Sequence, residues 1–339
     1  MLPKIVFTCP PCGCEGDSKH SDKFGTCSDC GAPLYPILDG MKNEYKSTLV
    51  TKNVAILVFQ GVELIDYTGP WEVLGAAGMN VYSVAKNDSL ISCFPGLKIK
   101  PDYTFKDCPK PDILLIPGGN VNTDDTETVS WIKNITMQTE HTVSVCTGAY
   151  YLGTAGLLDN TNATTFYEAV SDFKSKYPKV KMVDDARFVD NGKIITAAGL
   201  SSGIDLAFHL VSIYQGVAEA KRLANLLEYN WDSQGNYSRG RLADVYLKGF
   251  LRLFSPFEHK VTEYSGDQNH WQMVLQIKTN MTLEPILKLI DYQATELNHW
   301  SQKEKDSYEF LVHLKKMKCT IKTEVISSED YNIRFELHP

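Results

Sequence analysis

The sequence predicts an α/β protein built on an open, mostly parallel sheet, with a small metal-stabilised module before it and a small α+β domain after it. Three observations carry this prediction. From Asn53 onward, short apolar runs alternate with helix-like stretches. Two CxxC pairs crowd the first thirty residues. After about Lys260 the apolar residues alternate as in antiparallel strands. The expected domains are residues 1–40, 50–235 and 258–339.

In the N-terminal module, Cys9-Pro-Pro-Cys12 and Cys27-Ser-Asp-Cys30 can each sit on a tight knuckle whose amides point at the sulfurs. Two knuckles brought together make a tetrahedral thiolate site suited to zinc. Fourteen residues separate the pairs, just under the usual range for this pattern. The segment is too short and polar to fold around an apolar core, so metal has to stabilise it. The expected ligands are Cys9, Cys12, Cys27 and Cys30, with zinc in a structural role. Cys14 is a possible replacement for Cys12, and His20 lies in a charged stretch expected to be solvated. The module resembles zinc ribbons of the rubredoxin-like kind, which serve structure or docking more often than catalysis. Residues 37–52 read as a linker.

In the central region, Val54-Ala55-Ile56-Leu57-Val58-Phe59 is a continuous apolar run, as in a parallel strand covered on both faces. Gly69-Pro70-Trp71 reads as the opening of a helix, with proline in the first turn. Strands are expected over 80–85, 112–116 and 142–145, and helices over 126–138 and 147–155. A hairpin excursion is expected around Pro95-Gly96 and another through Asn191-Gly192. Residues 203–214 and 218–229 have the periodicity of long helices.

Ligands on such sheets bind at the carboxyl ends of the strands. Three features collect there. Cys146 ends the β-branched run Val143-Ser144-Val145 and is followed by Thr147-Gly148-Ala149, a strand, tight turn and helix. Helix amides behind such a thiol favour the thiolate, although a cysteine at a strand end is often an inert core residue. Gly118-Gly119 has backbone amides able to face a developing anion, or is simply a tight turn. Asp66 follows the first strand and reads, on residues alone, as a loop carboxylate or helix cap.

These residues, in this order and spacing, resemble the DJ-1/PfpI superfamily, and within it the subgroup with isonitrile hydratase and the amidotransferase-like domains of AraC-type regulators. The matching pieces are Val58 to Pro70, Leu115 to Gly119, Val145 to Ala149, Gly156 to Asp159, Ala163 to Thr165 and Thr196 to Asp205. The resemblance covers about Asn53 to Trp231. It implies a flavodoxin-like domain with a cysteine nucleophile elbow, commonly dimeric. It implies that Cys146 and Asp66 carry a hydro-lyase reaction on a small molecule, an isonitrile becoming an N-substituted formamide, with Thr147 beside them and amides near Gly119 steadying charge. No catalytic cofactor is implied. A glyoxalase- or deglycase-like activity on small aldehydes, and a non-enzymatic ligand or redox sensor or scaffold, are the alternatives. Many relatives carry a histidine after the Ala-Thr-Thr strand, where this chain has Phe166. A Cys–His dyad is therefore not expected, and His141 and His209 read as structural or surface residues.

The C-terminal third resembles no family. Residues 241–254 form an amphipathic pattern expected to pack back on the central domain. Strands are expected over 271–277, 320–326 and 331–337, and helices over 283–297 and 303–317. No helix-turn-helix is recognisable. Net charge is −7, which does not favour binding a phosphate backbone, so no nucleic acid partner is expected. No stretch is long and apolar enough for a membrane span, and Met1 to Cys12 lacks the apolar core of a signal peptide. A cytoplasmic homodimer is expected, with the terminal modules as surfaces for a protein partner.

Overall fold

The computed structural model describes residues 4–9, 14–40, 51–183, 186–233, 235, 246–266, 270–312 and 315–338. The chain divides into two compact units, Met1–Val50 and Thr51–Pro339.

In the first unit, β1 (Ile5–Thr8) pairs antiparallel with both β2 (His20–Ser21) and β3 (Tyr35–Leu38). The expected linker therefore begins as ribbon: Ile37 and Leu38 face Val6 and Ile5. Of that stretch, 41–50 lies outside the described residues, as does Cys12.

The second unit holds a seven-stranded sheet. Its strands are β4 (Asn53–Leu57), β5 (Asn80–Ala85), β8 (Tyr103–Thr104), β9 (Ile113–Ile116), β10 (His141–Val145), β13 (Phe188–Asp190) and β14 (Ile194–Ala197), in the order β13-β14-β10-β9-β4-β5-β8. Every pairing is parallel except β13 with β14. That exception is the hairpin expected at Asn191-Gly192. The Pro95-Gly96 excursion is the small ladder of β6 (Ile91–Ser92) with β7 (Lys98–Ile99). A second small pair joins β11 (Asn162–Ala163) to β12 (Lys181–Met182).

Alternation along the buried strands builds two apolar layers. Val54, Ile56, Ile113, Leu115, Val143 and Val145 pack against α1 (Leu64–Ala76), α5 (Ser201–Gln215) and α6 (Val217–Leu226). Ala55, Leu57, Leu114 and Ile116 pack on the other face against α2 (Thr126–Thr136), α3 (Ala149–Thr154) and α4 (Val170–Lys176). The chain leaves β4 toward β5 and returns on the far side to β9. The strand order thus reverses between β4 and β9, where such sheets leave a crevice at their carboxyl ends.

The remainder is a six-stranded antiparallel sheet. Its strands are β15 (Glu258–Gly266), β16 (Trp271–Lys278), β17 (Ser301–Glu304), β18 (Ser307–Val312), β19 (Lys315–Val325) and β20 (Asp330–His338), in the order β15-β16-β20-β19-β18-β17. Its core joins Met273, Leu275, Ile333 and Phe335 to Leu247 and Phe250 of α7 (Tyr246–Leu253) and Ile286 and Ile290 of α8 (Leu283–Tyr292). Two expectations are corrected here. The 241–254 pattern does not serve the central domain, because the apolar side of α7 is buried in this second core. The expected helix over 303–317 is instead three strands, with Asp306 at φ +64° turning β17 into β18. Among the described residues, no helix is long and apolar enough to cross a membrane.

Candidate active site

β10 delivers Cys146 to the carboxyl edge of the sheet, and the chain turns sharply there. Cys146 has φ +57°, a left-handed conformation that costs a non-glycine residue about 1–3 kcal/mol. A short 3₁₀ turn over Cys146–Gly148 leads into α3. The turn needs small neighbours. A Cβ on Gly118 would lie 2.7 Å from Cys146 Cβ, and one on Gly199 would lie 2.9 Å from it. The Thr165 hydroxyl donates to the Cys146 carbonyl at 2.8 Å. The thiol is buried at the bottom of this turn.

Asp66 is fully shielded from solvent. It is not a loop residue as the sequence suggested: α1 starts at Leu64, so Asp66 sits in its first turn and Pro70 lies inside the helix. Placing proline in the first turn set the expected start several residues late. One carboxylate oxygen accepts from the Gly118 amide at 3.1 Å and the other from the Leu200 amide at 2.8 Å. The carboxylate and the Cys146 thiol lie close enough for each to act on the other's proton affinity. Burial pushes Asp66 up to about 7; the two amides oppose that push, and the nearby Glu63 adds to it. Burial likewise pushes the Cys146 thiol well up, reinforced by the Asp66 charge, although the Thr147 amide pulls the other way. The expectation that amides alone would favour the thiolate is thus reversed in balance, because desolvation outweighs one N–H. At neutral pH the raised thiol keeps its proton, while Asp66 stands near the midpoint between its two forms.

Thr147 and Gly119 meet, though not as anticipated. The Thr147 hydroxyl accepts from the Gly119 amide at 3.0 Å and donates to the Gly119 carbonyl at 3.1 Å. Both glycine amides are therefore engaged, Gly118 with Asp66 and Gly119 with Thr147, and neither points at the sulfur as an anion donor. Phe166 packs against the core beside Tyr167. His141 is bonded to the Tyr214 hydroxyl at 2.5 Å and His209 to Asp190 at 2.8 Å, so both are committed elsewhere. The contributor that sequence reasoning gave no role is the Leu200 amide. The signals beside it are the matching piece Thr196 to Asp205 and, within it, Gly199, which has φ +123° and is pressed onto Cys146.

In the first unit, the sulfurs of Cys9, Cys14, Cys27 and Cys30 all lie within 4.8 Å of one another. Cys9 is 3.4 Å from Cys30 and 3.7 Å from Cys14, and Cys14 is 3.8 Å from Cys27. Four thiolates placed tetrahedrally at about 2.3 Å from an ion stand about 3.8 Å apart, so the set fits a metal. The amides of Asp29 and Cys30 donate to the Cys27 sulfur and hold that thiol down at about 7. Gly16 leaves room for the sulfurs, since a Cβ there would lie 3.3 Å from Cys14 Sγ and collide with Cys27 Sγ. Cys14 thus stands with the three expected ligands Cys9, Cys27 and Cys30, while Cys12 lies outside the described residues. His20 is exposed on β2.

Comparison with known proteins agrees with this geometry. Isonitrile hydratase of Pseudomonas putida is 34% identical over 180 residues, covering 52% of this chain and 78% of that protein. The HTH-type transcriptional regulator CdhR of Pseudomonas aeruginosa is 28% identical over 148 residues, 43% of this chain and 41% of the regulator. Among solved structures, a ThiJ/PfpI family protein from Pseudomonas syringae superposes with a TM-score of 0.54 at 27% identity, covering 65% of this chain and 93% of that one. A model of the DJ-1/PfpI family matches residues 52–213, the span that carries Asp66, Gly118, Cys146 and Leu200, and the chain belongs to that family.

Proposed function

We propose that Cys146 and Asp66 hydrate the terminal carbon of an isonitrile to give an N-substituted formamide. The observation that carries this reading is Asp66, a fully buried carboxylate fixed by two amides and electrostatically coupled to the thiol. Such a group holds its charge poorly and exchanges a proton readily with its neighbour. The similarity to a protein named isonitrile hydratase supports the choice of substrate.

The chemistry balances with one proton in the pair. The Cys146 sulfur passes that proton to Asp66, and the isonitrile carbon takes it from Asp66 as it gains a bond from the sulfur, leaving a thioimidate with a C=N bond. Asp66, now a carboxylate, accepts a proton from water as its oxygen attacks the same carbon, and passes that proton to nitrogen. The tetrahedral adduct then forms C=O and breaks C–S, and the hydroxyl proton returns to the pair. One water is consumed, and no histidine is required. The test is formamide formation from a simple alkyl isonitrile, followed by NMR. Cys146→Ala is expected to abolish it, and Asp66→Asn to lower it by ~10² or more. Wild-type protein that forms no formamide from any isonitrile would sink the reaction.

A second reading is a ligand-binding domain without turnover. It is favoured by the raised thiol and by the relatives named as transcriptional regulators. Isonitrile binding by a wild-type protein that releases no formamide would select it.

We further propose that the N-terminal thiolates hold zinc in a structural role, through Cys9, Cys14, Cys27 and Cys30. Four soft thiolates in tetrahedral reach favour that ion. Residues 1–40 and 50–235 are assigned as the ribbon and the catalytic domain, and α7 is joined to the C-terminal domain on its packing.

A further inference from the structure

Asp66 is placed partly by a turn that needs holding itself. The Leu200 amide donates to Asp66, yet Leu200 sits at φ +51° and ψ −121°, a backbone region that side chains disfavour. Gly199 before it, at φ +123°, runs directly over Cys146. Leu200 is itself 42% exposed, so its side chain does little to pin the turn. Something else must fix both flanks.

Arg187 does so. Its backbone carbonyl accepts from the Ala198 amide at 2.8 Å, on one side of the turn. Its guanidinium donates to the Ser201 hydroxyl at 3.2 Å, on the other side. The same guanidinium is ion-paired to Asp205, one turn further into α5. Asp205 also accepts from the Tyr229 hydroxyl at 3.2 Å, which steadies the anchor. Both charged side chains are mostly buried, with 15% and 11% exposed, so the fork is fixed rather than solvated.

We propose that Arg187 is a positioning residue for the active site: by clamping residues 198 and 201 it holds the Leu200 amide on Asp66. The inference rests on the reading that Asp66 and Cys146 share a proton. Two further groups electrostatically coupled to Asp66 are Glu63, from the start of α1, and Cys146 itself. Loosening the turn withdraws an amide from the carboxylate and so raises its proton affinity.

The readout is the rate of Cys146 alkylation by iodoacetamide against pH, measured by mass spectrometry on the full chain, with circular dichroism as the check on folding. In wild type the profile has an inflection near the Asp66 value, absent in Asp66→Asn. In Arg187→Ala that inflection moves up by roughly half a pH unit or more. Arg187→Lys, which keeps the charge but not the fork, moves it part of the way. Ser201→Ala moves it upward with no charge altered, and serves where Arg187→Ala fails to fold. Asp205→Asn gives opposite signs for the two explanations. Removing a negative charge alone lowers the inflection, whereas releasing the clamp raises it. An upward shift in Asp205→Asn and Ser201→Ala supports the proposal. An inflection that stays fixed in the folded variants, or falls in Asp205→Asn, overturns it. A wild-type profile identical to that of Asp66→Asn removes the shared-proton reading itself, and the proposal with it.

Discussion

Two cysteines in this chain occupy opposite environments. Cys146 is buried beside a carboxylate, and both facts push its thiol up. Cys27 receives two backbone amides on a knuckle, and they pull its thiol down to about 7. Neither environment is set by the cysteine. One is built by distant strands converging on a sheet edge, the other by the two residues that follow in sequence. The lesson is that a thiol's chemistry follows from what donates to it and what excludes water from it. On the proposed readings, Cys27 gives up its proton when a metal binds, and Cys146 exchanges one with Asp66.

The largest expected effect that sharpens this contrast comes from metal removal. Chelation is expected to expose Cys9, Cys14, Cys27 and Cys30 to rapid alkylation while the Cys146 rate stays within about twofold. Mass-spectrometric mapping of the modified thiols checks this, and equal protection of all cysteines after chelation would break the contrast. Cys14→Ser is expected to lose the metal as read by native mass spectrometry.

Next comes Gly118→Ala. Its Cβ would meet Cys146 Cβ at 2.7 Å and the Thr147 amide at 2.8 Å, both parts of a rigid turn. A loss of about 1–3 kcal/mol in urea unfolding is expected. Gly25→Ala in the ribbon has nothing within 4 Å of the added carbon and is expected to leave metal retention unchanged.

A smaller effect is expected for Thr147→Val. It removes the hydroxyl that both accepts from and donates to Gly119, leaving that amide and carbonyl without it. A cost of about 1–2 kcal/mol follows. Thr147→Ser keeps the bridge and is expected to stay close to wild type in the same unfolding assay.

Much of the central domain was legible from the sequence because its signals are local. Apolar runs give buried parallel strands, and a cysteine between a β-branched run and small residues gives the elbow. What was not legible depends on partners remote in sequence. The Leu200 amide carries no residue-type signature, so its bond to Asp66 across 134 positions was invisible. The direction of the Cys146 shift depends on burial by elements that sequence order does not reveal. Pro70 marked a helix start by a sound rule, yet α1 runs through it from Leu64. The strands within 301–317, where a helix over 303–317 is expected, escape the sequence for another reason. The residues of β17 are exposed throughout and charged, so they lack the apolar alternation that distinguishes a strand. In the ribbon, the CxxC spacing favours Cys12, which lies outside the described residues; among the described residues the sulfur beside Cys9 and Cys27 is that of Cys14.

In the proposed function, Asp66 and Cys146 act as one proton-sharing pair in hydrating an isonitrile. The most direct measurement is formamide production against pH for wild type and Asp66→Asn. With Asp66 at about 7, the pair below that pH holds two protons and the sulfur is a poor nucleophile. Above it the pair holds one, which the reaction uses. In wild type kcat/KM is expected to rise with pH through about 7, and in Asp66→Asn the rate is expected to be far lower and to lack that rise. A wild-type rate that is flat across this range, or an Asp66→Asn enzyme with the wild-type rate and profile, would contradict it.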